Sequence, residues 1–155
     1  MHKDPSSMPE INLPEFSAKI RYREQRKEIF DVFRNKFVTL TPEEWVRQHM
    51  LHFLKNHMNY PRGLIGVEVS LKLQALKRRA DIVVYNRRLE PWMLVECKAM
   101  EVEMNQNVFD QAASYNLTLK VPYLVITNGF RLLAAKIDSV NRKIEVIPSL
   151  PDFPA

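Results

Sequence analysis

Cysteine, glycine and long apolar runs are what this sequence has least of. One of its 155 residues is cysteine, Cys97, and three are glycine. A single thiol excludes an internal disulfide framework and any CxxC or Cys/His zinc cluster, which need several thiolates at fixed spacing. No apolar run nears the roughly 20 residues that cross a bilayer. The start, Met1-His2-Lys3-Asp4-Pro5, lacks the basic-then-apolar pattern of an export signal. A soluble cytoplasmic protein with no membrane partner is the resulting expectation.

What is present describes a single domain with an ordinary core, 46% hydrophobic and 26% charged. Lysine and arginine number 23 against 18 acids, a formal charge of +5. That excess suits a polyanionic partner and suits plain solubility equally well. Six of the ten prolines sit at the ends, at positions 5, 9, 14, 148, 151 and 154. Their fixed φ and missing N–H oppose helix and central strand alike, so 1–15 reads as an extended arm, 148–155 as a proline-rich tail, and 16–147 as the folded unit.

Within that unit, Ser17 to Lys36 carries seven basic residues against three acids; its broken alternation fits a basic hairpin, and a short amphipathic helix nearly as well. Thr41-Pro42-Glu43-Glu44 then supplies an N-cap, a first-turn proline and first-turn acids. A helix to about His57 follows, with Val46, Met50, Phe53 and Leu54 as its apolar stripe. Leu64–Leu71, Ala80–Tyr85 and Trp92–Cys97 read as three neighbouring strands, with turns expected around Lys77-Arg78-Arg79 and Asn86-Arg87-Arg88. Val108 to Leu119 reads as a second helix. Tyr123–Thr127 and Leu132–Ile137 flank the hairpin signal Asn128-Gly129. The order predicts a mixed sheet with helices on both faces, an α/β/α sandwich.

Two acids stand inside strand sequence: Asp81 in Arg79-Ala80-Asp81-Ile82-Val83 and Glu96 in Leu94-Val95-Glu96-Cys97-Lys98. A carboxylate in such a place costs several kcal/mol unless a cation or good hydrogen bonds compensate it. Alternation puts Glu96 and Lys98 on one face with Cys97 on the other, and antiparallel pairing would bring Asp81 to them. Asp81, Glu96 and the Cys97 backbone carbonyl would offer hard oxygen ligands to Mg²⁺ or Mn²⁺. Lys98 would orient an attacking water. One nearby lysine leaves two acids a surplus of negative charge, which a metal would balance; the competing reading is a structural ion pair at a sheet edge.

These residues resemble the PD-(D/E)XK nuclease superfamily, and more closely the nuclease domain at the N-terminus of type I restriction enzyme R subunits. The likeness runs from about Ile29 to Lys136 through Pro42-Glu43-Glu44-Trp45-Val46-Arg47-Gln48, Val67-Glu68, Ala80-Asp81-Ile82-Val83, Val95-Glu96-Cys97-Lys98, Asp110-Gln111 to Tyr115-Asn116, and Thr127-Asn128-Gly129. The resemblance implies a restriction-endonuclease-like fold and Mg²⁺-dependent hydrolysis of DNA. Asp81 and Glu96 would be its metal ligands and Lys98 its catalytic lysine. Gln111 and Tyr115 match a Gln-x-x-x-Tyr element; four apart on a helix they share a face and would bind phosphate or hold the site, unless Tyr115 is core and Gln111 caps a loop. The superfamily often adds a first-helix acid. Glu43, placed by the helical wheel beside the inward stripe, competes here with Glu44 and with simple capping; Glu68 is held in reserve.

Arg79, with Arg78, Lys77, Arg62 and the stretch from Lys19 to Lys36, could contact phosphates or form a solvated basic surface. His49, His52 and His57 lack an HExxH pattern. The chain has no G-x-x-x-x-G-K-[ST] loop, so it is not expected to move along DNA alone, and its partners would be DNA, other restriction-modification subunits or a second copy, since one site cuts one strand. A non-catalytic nucleic-acid-binding or assembly module of the same fold is the alternative, and a nuclease acting on RNA or branched DNA is a third class.

Overall fold

The computed structural model describes residues 8, 10–73 and 76–155. Pro5, Pro9 and most of the first eight residues of the expected arm lie outside them. Three short strands come first, β1 (Ile20–Arg23), β2 (Arg26–Asp31) and β3 (Lys36–Thr39), forming a separate antiparallel sheet in the order β1-β2-β3. Thus the hairpin alternative holds over Ser17 to Lys36, and a third strand extends it.

Helix α1 (Pro42–Asn56) starts where its signals place it, with the Thr41 hydroxyl accepting from the Glu44 N–H. After a 3-10 turn (Arg62–Leu64) come β4 (Ile65–Leu73), β5 (Leu76–Tyr85), β6 (Pro91–Cys97), α2 (Gln106–Leu119), β7 (Tyr123–Thr127), β8 (Leu132–Asp138) and β9 (Lys143–Ile147). The six strands run in sequence order; β6 and β7 pair in parallel across the α2 crossover and the other neighbours are antiparallel. The expected turn around Lys77-Arg78-Arg79 is in fact strand: Lys72, Leu71 and Ser70 pair with those three residues in order. Lys77 and Arg79 keep their charged heads in solvent, whereas Arg78 between them turns inward toward Glu96.

The helices cover opposite faces. Val46, Met50, Leu51 and Leu54 of α1 cluster with Ile82, Val84, Met93, Val95 and Cys97. Ala112 and Ala113 of α2 cluster with Val83, Leu94, Leu124 and Ile126. The result is an α/β/α sandwich around a mixed sheet. The tail packs on the α1 side, where Phe153 meets Tyr60 at a tilt and Trp92 edge-on, and the Tyr60 hydroxyl donates to the Pro151 carbonyl at 2.5 Å. The β7–β8 turn spans the four residues that the expected strand bounds leave; Asn128 Oδ1 accepts from the Phe130 and Arg131 N–H groups, and Gly129 takes φ +91° where an added Cβ would meet Ile11 at 3.0 Å.

Candidate functional site

The inner strands separate at one rung. β5 and β6 pair through Ile82↔Val95, and past it the Cys97 N–H turns to Asp81 Oδ2 at 2.8 Å. On the other side of Asp81, Glu68 interrupts the β4–β5 register between Val67↔Ile82 and Val69↔Ala80 with φ +51°. A left-handed glutamate inside a strand is strained. Its effect is visible in the packing: Val67 and Ile82 join the α1-side cluster, whereas Val69 and Ala80 join the α2-side cluster. The sheet therefore changes face at Glu68 and Asp81, which leaves the Asp81 carboxylate in the fork.

Glu96, 8% exposed, lies beside this fork. Burial pushes its carboxyl up to about 7, with Asp81 and Glu43 acting in the same direction and Arg78 and Lys98 opposing. Arg78 Nη2 approaches Glu96 Oε1 at 2.6 Å, but off the hydrogen-bonding direction, so both Glu96 Oε1 and Arg78 Nη1 are buried without a hydrogen-bond partner among the described residues. The Arg78 guanidinium also stacks on Tyr115, 4.5 Å from the ring centre. Lys98 is tied by its N–H to the Thr127 carbonyl at 2.8 Å, and its charge acts on Glu43 and Glu96.

Asp81 Oδ1 is held by Arg47 at 2.9 Å. Arg47 is the site residue that strand and motif patterns missed. It is 5% exposed and also contacts Glu44 at 3.0 Å, Glu43 at 3.1 Å and Glu68 at 3.6 Å. Arg34 adds a second cation, paired with Asp31, with Glu44, and with Glu68 at 2.8 Å. The surplus negative charge expected from the sequence is thus met in part by Arg47 and Arg78. The faint signal was Arg47 at i+3 and i+4 from two acids on one helix, which usually marks only a surface pair.

The remaining candidates divide. Glu44 is buried between Arg34 and Arg47, while the Glu43 side chain is 48% exposed. That reverses the wheel-based expectation, because the arginines draw Glu44 inward. Glu43 still faces the fork electrostatically: burial and Asp81 raise its pKa, and Arg47 and Lys98 lower it. Gln111 and Tyr115 are both exposed, so the core-packing alternative for Tyr115 fails; Tyr115 joins the site through Arg78, whereas Gln111 makes no hydrogen bond to it among the described residues. Arg79 pairs with Glu68 at 3.0 Å from an exposed position. The Cys97 side chain is buried on the α1 side, and burial raises its thiol pKa. His49 bonds the Trp45 carbonyl and His52 stacks on Phe16. Beside the fork, a cleft of about 500 Å³ is walled by Lys36 and Thr39 of β3, Glu43, Arg47, Glu68 and Ala99.

The donor set is chemically suited to a hard divalent ion: carboxylate oxygens of Asp81 and Glu96, the latter with its Oε1 buried against Arg78. Among the described residues, no group of three or more His, Cys, Asp or Glu side chains is gathered to hold a metal. Two carboxylates and the Cys97 carbonyl would therefore leave most of the coordination to water, the usual habit of Mg²⁺.

The raised Glu96 pKa has a measurable consequence. The carboxyl ionises near 4.5 when unperturbed and near 7 in the folded protein. The folded state therefore keeps a proton that the unfolded chain has lost, and this group's contribution to stability declines as pH rises from 4.5 to 7. Buried His49 and His52, with lowered pKa values, slope the other way, so the difference between parent and variant isolates Glu96. Glu96→Gln is expected to match the parent near pH 4.5 and to exceed it by about 3 kcal/mol above pH 7 in urea unfolding. Parallel curves for parent and variant would contradict the buried-carboxyl assignment.

The fold is an α/β/α sandwich with Asp81 and Glu96 placed where two inner strands part. Residues 42–151 match the model of the family described as type I restriction enzyme R protein N terminus. That is most of the chain, and the chain belongs to this family. A solved structure described as "the fragment structure of a putative HsdR subunit of a type I restriction enzyme from Vibrio vulnificus YJ016" aligns with TM-score 0.52 and 18% identity, over 74% of this chain and 24% of that one. This likeness concerns the fold, and the chain spans about a quarter of that protein. No curated protein matches.

Proposed function

We propose that the domain is a Mg²⁺- or Mn²⁺-dependent endonuclease of the PD-(D/E)XK type, hydrolysing DNA phosphodiesters as part of a restriction-modification assembly. The observation that supports the reading is that Asp81 takes the Cys97 N–H where β5 and β6 separate, while the charges of both Asp81 and Lys98 act on the neighbouring buried Glu96. Asp81, Glu96 and the Cys97 carbonyl would hold the ion. When bound, it lowers the pKa of water and neutralises charge building on phosphorus.

The chain's own residues supply the rest. Lys98 would orient the water for in-line attack opposite the 3′ oxygen: a new P–O bond forms as the P–O3′ bond breaks, leaving a 5′-phosphate, and the proton lost by the water is balanced by one taken up from solvent by the departing 3′ oxygen. Arg78, whose guanidinium lies 2.6 Å from Glu96 Oε1, would set the charge beside the ion. Tyr115 holds that guanidinium from behind. Glu43, half-exposed on the cleft wall, is a further candidate for ordering water, and Gln111 for contacting the phosphate one helical turn from Tyr115.

The test is plasmid nicking by the purified protein with Mg²⁺, with Mn²⁺ and with EDTA. Cutting that requires the divalent ion supports the reading. DNA binding without cutting under any of these conditions turns it to the non-catalytic module, and ion-dependent cutting of RNA or branched DNA alone moves the substrate class.

A further inference from the structure

The sheet β1-β2-β3 precedes the matched segment, which begins at Pro42, and the catalytic reading does not use it. Its strands are unequal. β3 pairs with Glu28 to Asp31 of β2, while β1 pairs with β2 out to Arg23↔Arg26. The tip therefore projects as a two-stranded ribbon closed by Glu24 and Gln25, both at positive φ (51° and 64°), the geometry of a tight two-residue hairpin turn.

The residues on that ribbon are unusual for a structural turn. Arg23 and Arg26 stand directly opposite each other, and like charges in that relation are destabilising. Neither pairs with a carboxylate among the described residues; Glu24, in the turn between them, makes no ion pair there either. One rung inward, Tyr22 is 65% exposed opposite Lys27. Further in, the charges are compensated: Arg21 bonds Glu28 at 2.9 Å and lies flat on Phe37, 3.6 Å from its centre. The repulsion is thus confined to the projecting end, where an external anion would relieve it.

We propose that the β1–β2 tip is a DNA-docking element that enters a groove of the duplex and grips phosphates on its two sides with Arg23 and Arg26. The major groove is about 12 Å wide and admits a two-stranded ribbon; charge complementarity selects a polyanion, and the pairing of arginines across the ribbon selects two flanking phosphates over one isolated anion. The same sheet leads to the fork, since Lys36 and Thr39 of β3 wall the cleft that Glu43, Arg47 and Glu68 close. Duplex held at the tip would be delivered along that wall. This inference rests on DNA being the substrate of the proposed nuclease site, but its test needs no catalysis.

The experiment measures fluorescence anisotropy of a labelled duplex of about 20 base pairs, in EDTA, across a salt series, with the parent, the Arg23→Ala/Arg26→Ala double variant, and a Lys120→Ala/Lys143→Ala control carrying the same charge loss elsewhere. Two phosphate contacts contribute a slope of about −2 in log K against log salt. The double variant is expected to lose that slope and to bind at least about tenfold more weakly at low salt, with the control near the parent and circular dichroism unchanged. Equal affinity of the double variant and the parent, or an equal loss in the control, overturns the proposal. So does a parent that prefers a single strand of the same length. Binding through the tip without cutting would sink the nuclease reading alone.

Discussion

Alanine at Lys98 is expected to lower divalent-dependent DNA cleavage by about a thousandfold or more, equivalent to about 4 kcal/mol of barrier, while folding and DNA binding survive. Lys98 gives the cleanest of the three tests because its side chain makes no ion pair among the described residues; its removal breaks no direct pair and withdraws only its through-space charge from Glu43 and Glu96. Alanine at Asp81 is expected to abolish cleavage too. It also deprives Arg47 and the Cys97 N–H of an acceptor, so Asp81→Asn, which keeps the shape, separates lost chemistry from lost structure. At position 96 the outcomes should diverge: Glu96→Gln loses activity yet gains stability above pH 7, since it deletes a carboxylate that burial disfavours. Rates for all three variants equal to the parent's, measured as initial nicking at saturating Mg²⁺, would leave the site without a catalytic role.

The parts of the fold legible in the sequence were those with a local cause. The Thr41-Pro42 start of α1 follows from capping, the apolar runs that became β5, β6 and β7 follow from burial, and that of β4 from pairing as a half-buried edge strand. Elements lacking a local cause went unseen. Lys143 to Ile147 alternates charge with apolar residues and is largely exposed, so it becomes β9 only because the edge of β8 offers it a ladder. Lys36 to Thr39 has the same dependence on β2. The arginine-rich start of β5 reads as a turn until its cross-strand partners are known.

For the site, the acids were legible and their counter-charges were not. Asp81 and Glu96 stand out because an acid within an apolar run violates strand patterning. Arg47 and Arg78 violate nothing: one sits on a helix beside glutamates, the other in a basic run, and only the tertiary arrangement turns them inward. The face change at Glu68 had no signal at all, since a glutamate gives no warning of positive φ in the way that glycine or asparagine does.

Arg47 is where the counter-charge argument becomes measurable. Four carboxylates surround it, Glu43, Glu44, Glu68 and Asp81, and those of Glu44 and Asp81 are drawn well out of water. Arg47→Met keeps much of the apolar stem but strands the acids, and removing one partner of a buried pair typically costs about 3–5 kcal/mol. Against a total stability of about 5–15 kcal/mol, that is enough to leave the variant marginal at neutral pH. Two companions keep the expectation testable if it fails to fold. Arg47→Lys preserves the charge but cannot bridge several carboxylates with a planar fork, so it should lose less. Arg47→Met with Glu44→Met removes the most buried acid together with its cation, and should recover part of the loss, as apolar replacement of a buried pair often does. Urea midpoints for the series should rank parent, then Lys and the double variant, then Met. A Met variant as stable as the parent would mean that the acids are already neutral, and that Arg47 holds Asp81 in the fork without stabilising the fold.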